Sequence, residues 1–301
     1  EEDDGAIVVK FHNRKRPMLI QKSDGGFLYA TTDSAAIEYR TQELSADRVI
    51  YVVDARQRDH FRDLFDAATL IGWDKTPDGA DIEFVHIPFG SVLGEDKKPL
   101  KTRSGSNVTL DSLLHDAVER GTAEVIKRSQ DPNSPTHNLS EEELCTVGRQ
   151  IGIGAIKYAD LSNDLVRDYV FDMDRMIAFE GNTGPYIQYA AARITSLLMK
   201  AGEYDQSASI RLEEPRERLL ALQLLQYNNV LRDTVAHLEP HRLCTWLFEL
   251  TESFNSFYQS CPVLKTEEES TRNSRLNLVE LTRKIVVDGL TVLGIDAPKQ
   301  M

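Results

Sequence analysis

Two patterns of apolar residues divide the chain. Up to about residue 130, short β-branched runs alternate with helical stretches. Ala6-Ile7-Val8-Val9-Lys10-Phe11 and Arg48-Val49-Ile50-Tyr51-Val52-Val53 are brief and bounded by charge, which predicts strands. Between them, Thr32-Asp33-Ser34-Ala35-Ala36-Ile37 opens with the hydroxyl and acidic residues that a helix N-terminus prefers. Across residues 59–71, Phe61, Leu64, Phe65, Ala68 and Leu70 fall near helical spacing, and Gly72 follows as a stop. A third strand is predicted over residues 82–86. Strand, helix, strand, helix, strand is the rhythm of a doubly wound parallel sheet, whose ligands bind at the carboxyl ends of the strands.

The polar run Arg128-Ser129-Gln130-Asp131-Pro132-Asn133-Ser134-Pro135 ends this rhythm, and beyond it the pattern is almost entirely helical. Residues 141–161 carry Gly148, Gly152 and Gly154, which suit close packing of a helix on a neighbour better than a phosphate loop. Amphipathic runs at 186–200, 213–236, 242–260 and 270–293 predict a helical bundle. The expected fold class is α/β followed by all-α.

Composition narrows the function. A length of 301 residues allows a sizeable core and two domains. Lys and Arg total 35 against 48 Asp and Glu, a net charge of -13. Repulsion makes such a chain a poor general binder of polyanions, so any nucleic acid must meet a local basic face. Cys145, Cys244 and Cys261 are widely spaced with no CxxC, and the His residues lack metal-ligand spacing, so neither a disulfide framework nor a zinc site is indicated. No apolar run is long enough for a membrane and no signal peptide is visible, which reads as a reducing, cytoplasmic setting. The opening Glu1-Glu2-Asp3-Asp4-Gly5 lacks Met and reads as a cut into a longer chain.

Candidate chemistry gathers at three places. Lys97, Lys98, Lys101 and Arg103 crowd the segment before Ser104 and Gly105, a loop suited to phosphate oxygens and to charge that develops on them, or simply to solvent. Tyr29 and Asp33 are four residues apart just past the Asp24-Gly25-Gly26 turn. If a helix begins by Thr32 they can share a crevice, Asp33 pairing with a guanidinium or ammonium in bidentate fashion and Tyr29 forming an aromatic wall. The same residues also suit an N-capping Asp beside a core Tyr. Gln57 and His60 follow the second strand, where ligand-facing polar groups collect, and equally suit a helix start and a surface His.

Taken in order, the motifs resemble the C-terminal half of the arginyl-tRNA synthetases, class I aminoacyl-tRNA synthetases. The matching blocks are 21–33 (Gln-Lys-Ser-Asp-Gly-Gly-Phe-Leu-Tyr-Ala-Thr-Thr-Asp), 51–57 (Tyr-Val-Val-Asp-Ala-Arg-Gln) with His60-Phe61, Phe89-Gly90 through Gly105, 151–158, 179–190, 254–258 and 293–301. Gly181-Asn182-Thr183-Gly184-Pro185-Tyr186-Ile187-Gln188-Tyr189-Ala190 is the most diagnostic. The resemblance implies the second half of a Rossmann-like class I catalytic domain at 1–130, a helical stem-contact junction at 131–185 and a helical-bundle anticodon-binding domain at 186–301.

It also implies a reaction. L-arginine is activated with ATP to arginyl-adenylate and then transferred to tRNA(Arg), with Mg2+ expected beside ATP and no zinc. Carried over by position, Tyr29, Asp33 and Gln57 hold arginine, Phe89, Gly90 and Val92 approach ATP, and His60 stands with the ATP-binding set where the family approaches the nucleotide or the substrate pocket. Lys98-Pro99-Leu100-Lys101-Thr102 stands for the class I Lys-Met-Ser-Lys-Ser signature in divergent form, which makes Lys98 and Lys101 catalytic. Tyr186, Tyr189, Arg193, Tyr258 and Met301 become tRNA contacts, with Arg272, Arg275 and Arg283 as further candidates; buried Tyr and surface ion pairs are the plainer alternative for these types. The family's His-x-Gly-His motif and first strands are missing, so a separate or missing N-terminal half is expected and the chain alone is expected to be inactive. No membrane or DNA partner is expected. Two alternatives remain: a non-catalytic tRNA-binding or interaction module, and a class I synthetase for another amino acid, which Asp33 beside Tyr29 and the lack of zinc ligands disfavour.

Overall fold

The structure, a computed structural model, describes residues 1–12, 14–94, 96–98 and 109–301. Lys101 and Arg103 lie outside the described residues. The chain forms two compact units, Glu1–Ser91 with Val166–Asp168, and Val92–Leu165 with Tyr169–Met301.

In the first unit, β1 (Glu2–Asp3), β2 (Ala6–Val9) and β3 (Met18–Gln21) make a three-stranded antiparallel sheet in that order. β4 (Arg48–Asp54) and β5 (Glu83–Phe89) pair in parallel, from Arg48 opposite Glu83 to Asp54 opposite Phe89. The strand expected over residues 6–11 therefore exists but does not join the parallel pair. Its partner is β3, a short Met-Leu-Ile-Gln run with no alternation to announce it. Helices α1 (Tyr29–Glu38) and α2 (Arg58–Leu70) pack on one face, where Phe11, Met18, Ile37, Phe61 and Leu64 form the core. Helix α1 starts about a turn before Thr32: Leu28 is its extended N-cap, and Thr31 Oγ1 donates to the Ile20 carbonyl, tying the first turn to β3. On β4, successive residues alternate faces. Val49 is buried, whereas Ile50 and Val52 on the opposite face are 42% and 57% exposed.

The second unit contains β6 (Val92–Leu93), paired in parallel with β7 (Tyr169–Val170), and helices α3 (Leu110–Ser129), α4 (Glu141–Leu161), α5 (Met173–Ile177), α6 (Gly184–Ala201), α7 (Pro215–Leu225), α8 (Tyr227–His237), α9 (Pro240–Ser260) and α10 (Glu269–Val292). Helix α3 carries no strong signature and is not among the predicted elements. Helix α4 begins with a reciprocal capping box, Ser140 and Glu143 each satisfying the other's backbone N–H. Gly148 and Gly152 bring α4 against α3, and Gly154 lies against Gln188 of α6. A Cβ on Gly148 would lie 2.4 Å from Thr122 Cα, and one on Gly152 would lie 2.4 Å from the Ala117 carbonyl oxygen. The run predicted at 213–236 is two helices that share Gln226 as a cap. Helices α6, α7, α9 and α10 enclose the core of Ile187, Leu220, Leu243, Leu247, Leu250, Phe254, Phe257, Leu276, Val279 and Leu290, all buried. None of the described helices is long and apolar enough to cross a membrane.

Candidate functional site

In the first unit, the carboxyl end of β4 runs into a single turn of tight helix, Ala55–Gln57, and then into α2. Asp54 caps the turn: its side chain accepts from the backbone N–H of Arg56 at 2.8 Å and from the Arg56 guanidinium at 2.7 and 2.9 Å. These bonds to Arg56 hold the Asp54 carboxyl down at about 2. The turn delivers His60 to the first turn of α2, where its Nε2 lies 2.7 Å from Asp33 Oδ2 on α1. Tyr29 and Asp33 sit one helical turn apart on the same face of α1. The Tyr29 ring meets the His60 imidazole edge-on, with centroids 4.8 Å apart, and is itself 65% exposed.

Tyr29, Asp33 and His60 thus form one group, in which the His60 imidazole meets both the partly exposed Asp33 carboxylate and the Tyr29 ring. His60, expected at the nucleotide or the substrate pocket, is bonded to Asp33. The expected free, bidentate Asp33 already has one oxygen engaged. Gln57 is exposed at the end of the turn. Behind the group, the Tyr51 hydroxyl accepts from Arg40 at 2.8 Å, and its phenol is pushed up by burial.

Phe89 ends β5 and Gly90 follows it. A Cβ on Gly90 would lie 2.6 Å from the carbonyl carbon of Arg167 and 2.8 Å from the Asp168 nitrogen, so the close passage of this backbone requires glycine there. Ser91 N–H donates to Asp168 Oδ1 at 2.6 Å. Val92 and Lys98 belong to the second unit. Val92 pairs with Tyr169, and Lys98 is an exposed residue whose N–H donates to Asp96 Oδ1 at 3.1 Å.

The second unit holds a pocket of about 400 Å³ between α3, α6, α9 and the terminal residue, lined by Arg128, Tyr189, Arg193, Phe254, Tyr258 and Met301 among others. Of the predicted RNA contacts, Tyr189, Arg193, Tyr258 and Met301 come together here. Met301 is 4% exposed and packs with Val125, Ile151 and Ala192. Arg193 lies over the Tyr258 ring at 5.0 Å, and Tyr258 stacks on Phe254 at 6.1 Å. Tyr186 is absent from this lining. Its hydroxyl donates to Glu252 and accepts from Asn255 at 2.9 Å; burial, with the Glu252 bond, pushes the phenol up to about 12.

Sequence reasoning missed Arg128, whose guanidinium lies 3.8 Å over the Phe179 ring and 5.8 Å from that of Tyr189. It also read the polar run after Arg128 as a break, yet Asp131, Asn133 and Ser134 line the pocket. The only local signal was a basic residue at a helix end. The other three arginine candidates are committed elsewhere. Arg275 is buried and donates to Glu217 at 2.7 Å, Arg283 pairs with Glu280 at 2.8 Å, and Arg272 donates to the Ala201 carbonyl at 2.6 Å.

Comparison with known families finds two matches along the chain, the first of which runs past the end of the first compact unit. The description "tRNA synthetases class I (R), catalytic domain" matches residues 1–173, and "DALR anticodon binding domain" matches residues 187–301, which defines a class I tRNA synthetase fold. The arginine-tRNA ligase of Thermobifida fusca is 48% identical over 306 residues, covering 99% of this chain and 51% of that protein. That of Frankia casuarinae is 44% identical, covering 100% and 50% respectively. Among solved structures, the arginyl-tRNA synthetase of Plasmodium falciparum superposes with a TM-score of 0.81 at 28% identity, over 100% of this chain and 50% of that one. The Thermus thermophilus enzyme gives 0.82 at 26% identity, over 99% and 54%. The chain belongs to the arginyl-tRNA synthetase family and spans about half the length of the relatives it matches.

Proposed function

We propose that this chain supplies the arginine-holding and anticodon-holding parts of an arginine-tRNA ligase. The observation that carries the reading is the Tyr29, Asp33 and His60 group beside the turn after β4. A partly exposed carboxylate next to an aromatic ring suits a guanidinium or an α-ammonium and gives a neutral side chain nothing to pair with.

In the reaction, the arginine carboxylate attacks the α-phosphorus of ATP, forming arginyl-adenylate and releasing pyrophosphate. A hydroxyl of the terminal adenosine of tRNA then attacks the adenylate carbonyl, and AMP leaves. Tyr29, Asp33 and Gln57 are assigned to arginine, and Phe89, Gly90 and Val92 to the adenine. Lys98 and Lys101 are assigned to the charge that develops on the phosphates. Mg2+ would arrive held by phosphate oxygens. Residues 1–130 serve activation, 131–185 join the parts, and 186–301 read the anticodon. There, an unpaired base would stack on Tyr189 or Tyr258 while Arg128, Arg193 and Lys200 offer charge to the backbone.

The test is aminoacylation by the full-length protein carrying this chain, with arginine, lysine and citrulline compared. Charging of tRNA(Arg) by arginine alone supports the reading. Charging by another amino acid, or tRNA binding without any charging, refutes it.

A further inference from the structure

The bond between Asp33 and His60 carries a further step, which rests on the reading of Asp33 as the carboxylate that meets arginine. The two residues come from different helices, and His60 is the more enclosed, with a side chain 11% exposed against 33% for Asp33. Its ring is set by edge contacts from Tyr29 at 4.8 Å and Phe61 at 5.0 Å, and Phe61 is core. Among the described residues, Asp33 Oδ1 has no hydrogen-bond partner, while Oδ2 is taken by His60 Nε2 at 2.7 Å. An exposed aspartate on a helix samples several rotamers, and ordering it on binding would weaken affinity; a donor anchored in the core removes that cost in advance.

We propose that His60 is a positioning residue for arginine. It holds the Asp33 carboxylate through Oδ2 and leaves Oδ1 for the cationic group of the substrate. His60 itself touches neither ATP nor the reacting atoms. The pair therefore governs how well arginine is held and leaves the handling of ATP unchanged.

The experiment is steady-state aminoacylation by the full-length protein, with KM for arginine and for ATP measured separately for wild type, Asp33→Asn, His60→Phe, His60→Gln and His60→Asn. A hydrogen bond to a charged group corresponds to roughly ten- to a hundredfold in affinity. His60→Phe is expected to raise the arginine KM by about tenfold or more with the ATP KM unchanged. His60→Gln keeps an N–H donor near the Nε2 position and should restore most of the loss. His60→Asn is too short to reach Asp33 and should behave like His60→Phe, so this amide pair decides the matter even if the Phe variant does not fold. If Asp33→Asn raises the arginine KM while the His60 variants do not, or if they raise the ATP KM instead, the positioning role is wrong. If Asp33→Asn leaves the arginine KM unchanged, the arginine-site reading itself fails.

Discussion

Replacing Gly152 with alanine tests the packing of the second unit quantitatively. On an isolated helix the change is favourable by about 1 kcal/mol, because alanine loses less backbone entropy. Here the new Cβ would sit 2.4 Å from the Ala117 carbonyl oxygen, 2.6 Å from its carbon and 2.7 Å from the Val118 nitrogen. Those are backbone atoms of α3 and cannot rotate away. Unstrained carbon contacts lie at about 3.5 Å, so the helices must part by roughly 1 Å. Overpacking of this kind costs about 1–3 kcal/mol, and a gap of that size forfeits a quarter to a half of the local dispersion attraction, a loss of about another 1 kcal/mol. Set against the helix-propensity gain, the net loss is about 1–3 kcal/mol, or a melting temperature lower by about 3–10 °C for a unit of this size. Thermal unfolding followed by far-ultraviolet circular dichroism reads it. An unchanged or higher melting temperature is what propensity alone predicts, and it would refute the close approach of α3 and α4.

Other expectations concern charge, stacking and the end of β5. Glu217→Gln leaves Arg275 buried without its carboxylate and should cost about 3–5 kcal/mol in denaturant unfolding. Burial alone would raise the Glu217 carboxyl, but the N–H of Glu214, Arg275 and the N–H of Glu213 outweigh it and hold the group below its ordinary 4.5. The stabilisation is therefore complete above that value and lost as pH falls through the lower folded value, so unfolding measured across this acid range should be steeper in pH for wild type than for the variant. Tyr258→Ala and Tyr189→Ala should each weaken binding of an anticodon stem-loop by about 1–3 kcal/mol, whereas Tyr186→Phe, outside the pocket, should leave it nearly unchanged; equal losses from all three would count against the pocket. Gly90→Ala forces a Cβ into the backbone at Arg167 and should raise the ATP KM in the full-length protein, with an unchanged KM contradicting the assignment of this strand end.

Legibility followed the range of the physics involved. Helices α6, α9 and α10 were visible because each buries one stripe, and a stripe is written locally at helical spacing. The glycines of α4 were readable because a missing side chain has few uses on a helix besides close approach. Strand β2 was seen, but its partner was not, since pairing is decided by which distant strand shares its register, here a four-residue β3 across a turn. Asp33 and Tyr29 were readable as a pair at helical spacing, yet the bond to His60 depends on how α1 and α2 meet. Arg128 and Asn133 gained their meaning only when α3 ended beside α6 and Met301. Arg275 shows the converse: residue type alone cannot separate a charge that faces RNA from one that closes a buried ion pair.

The most direct measurement of the central claim is charging of tRNA(Arg) with arginine by this chain combined with the remaining half of a matching arginyl-tRNA synthetase, with the chain alone and an Asp33→Asn chain run in parallel. The account predicts charging by the combination, none by the chain alone, and a strong loss with Asp33→Asn. Charging that is indifferent to Asp33, or a combination that binds tRNA(Arg) without charging it, would contradict the claim that this chain brings the arginine site.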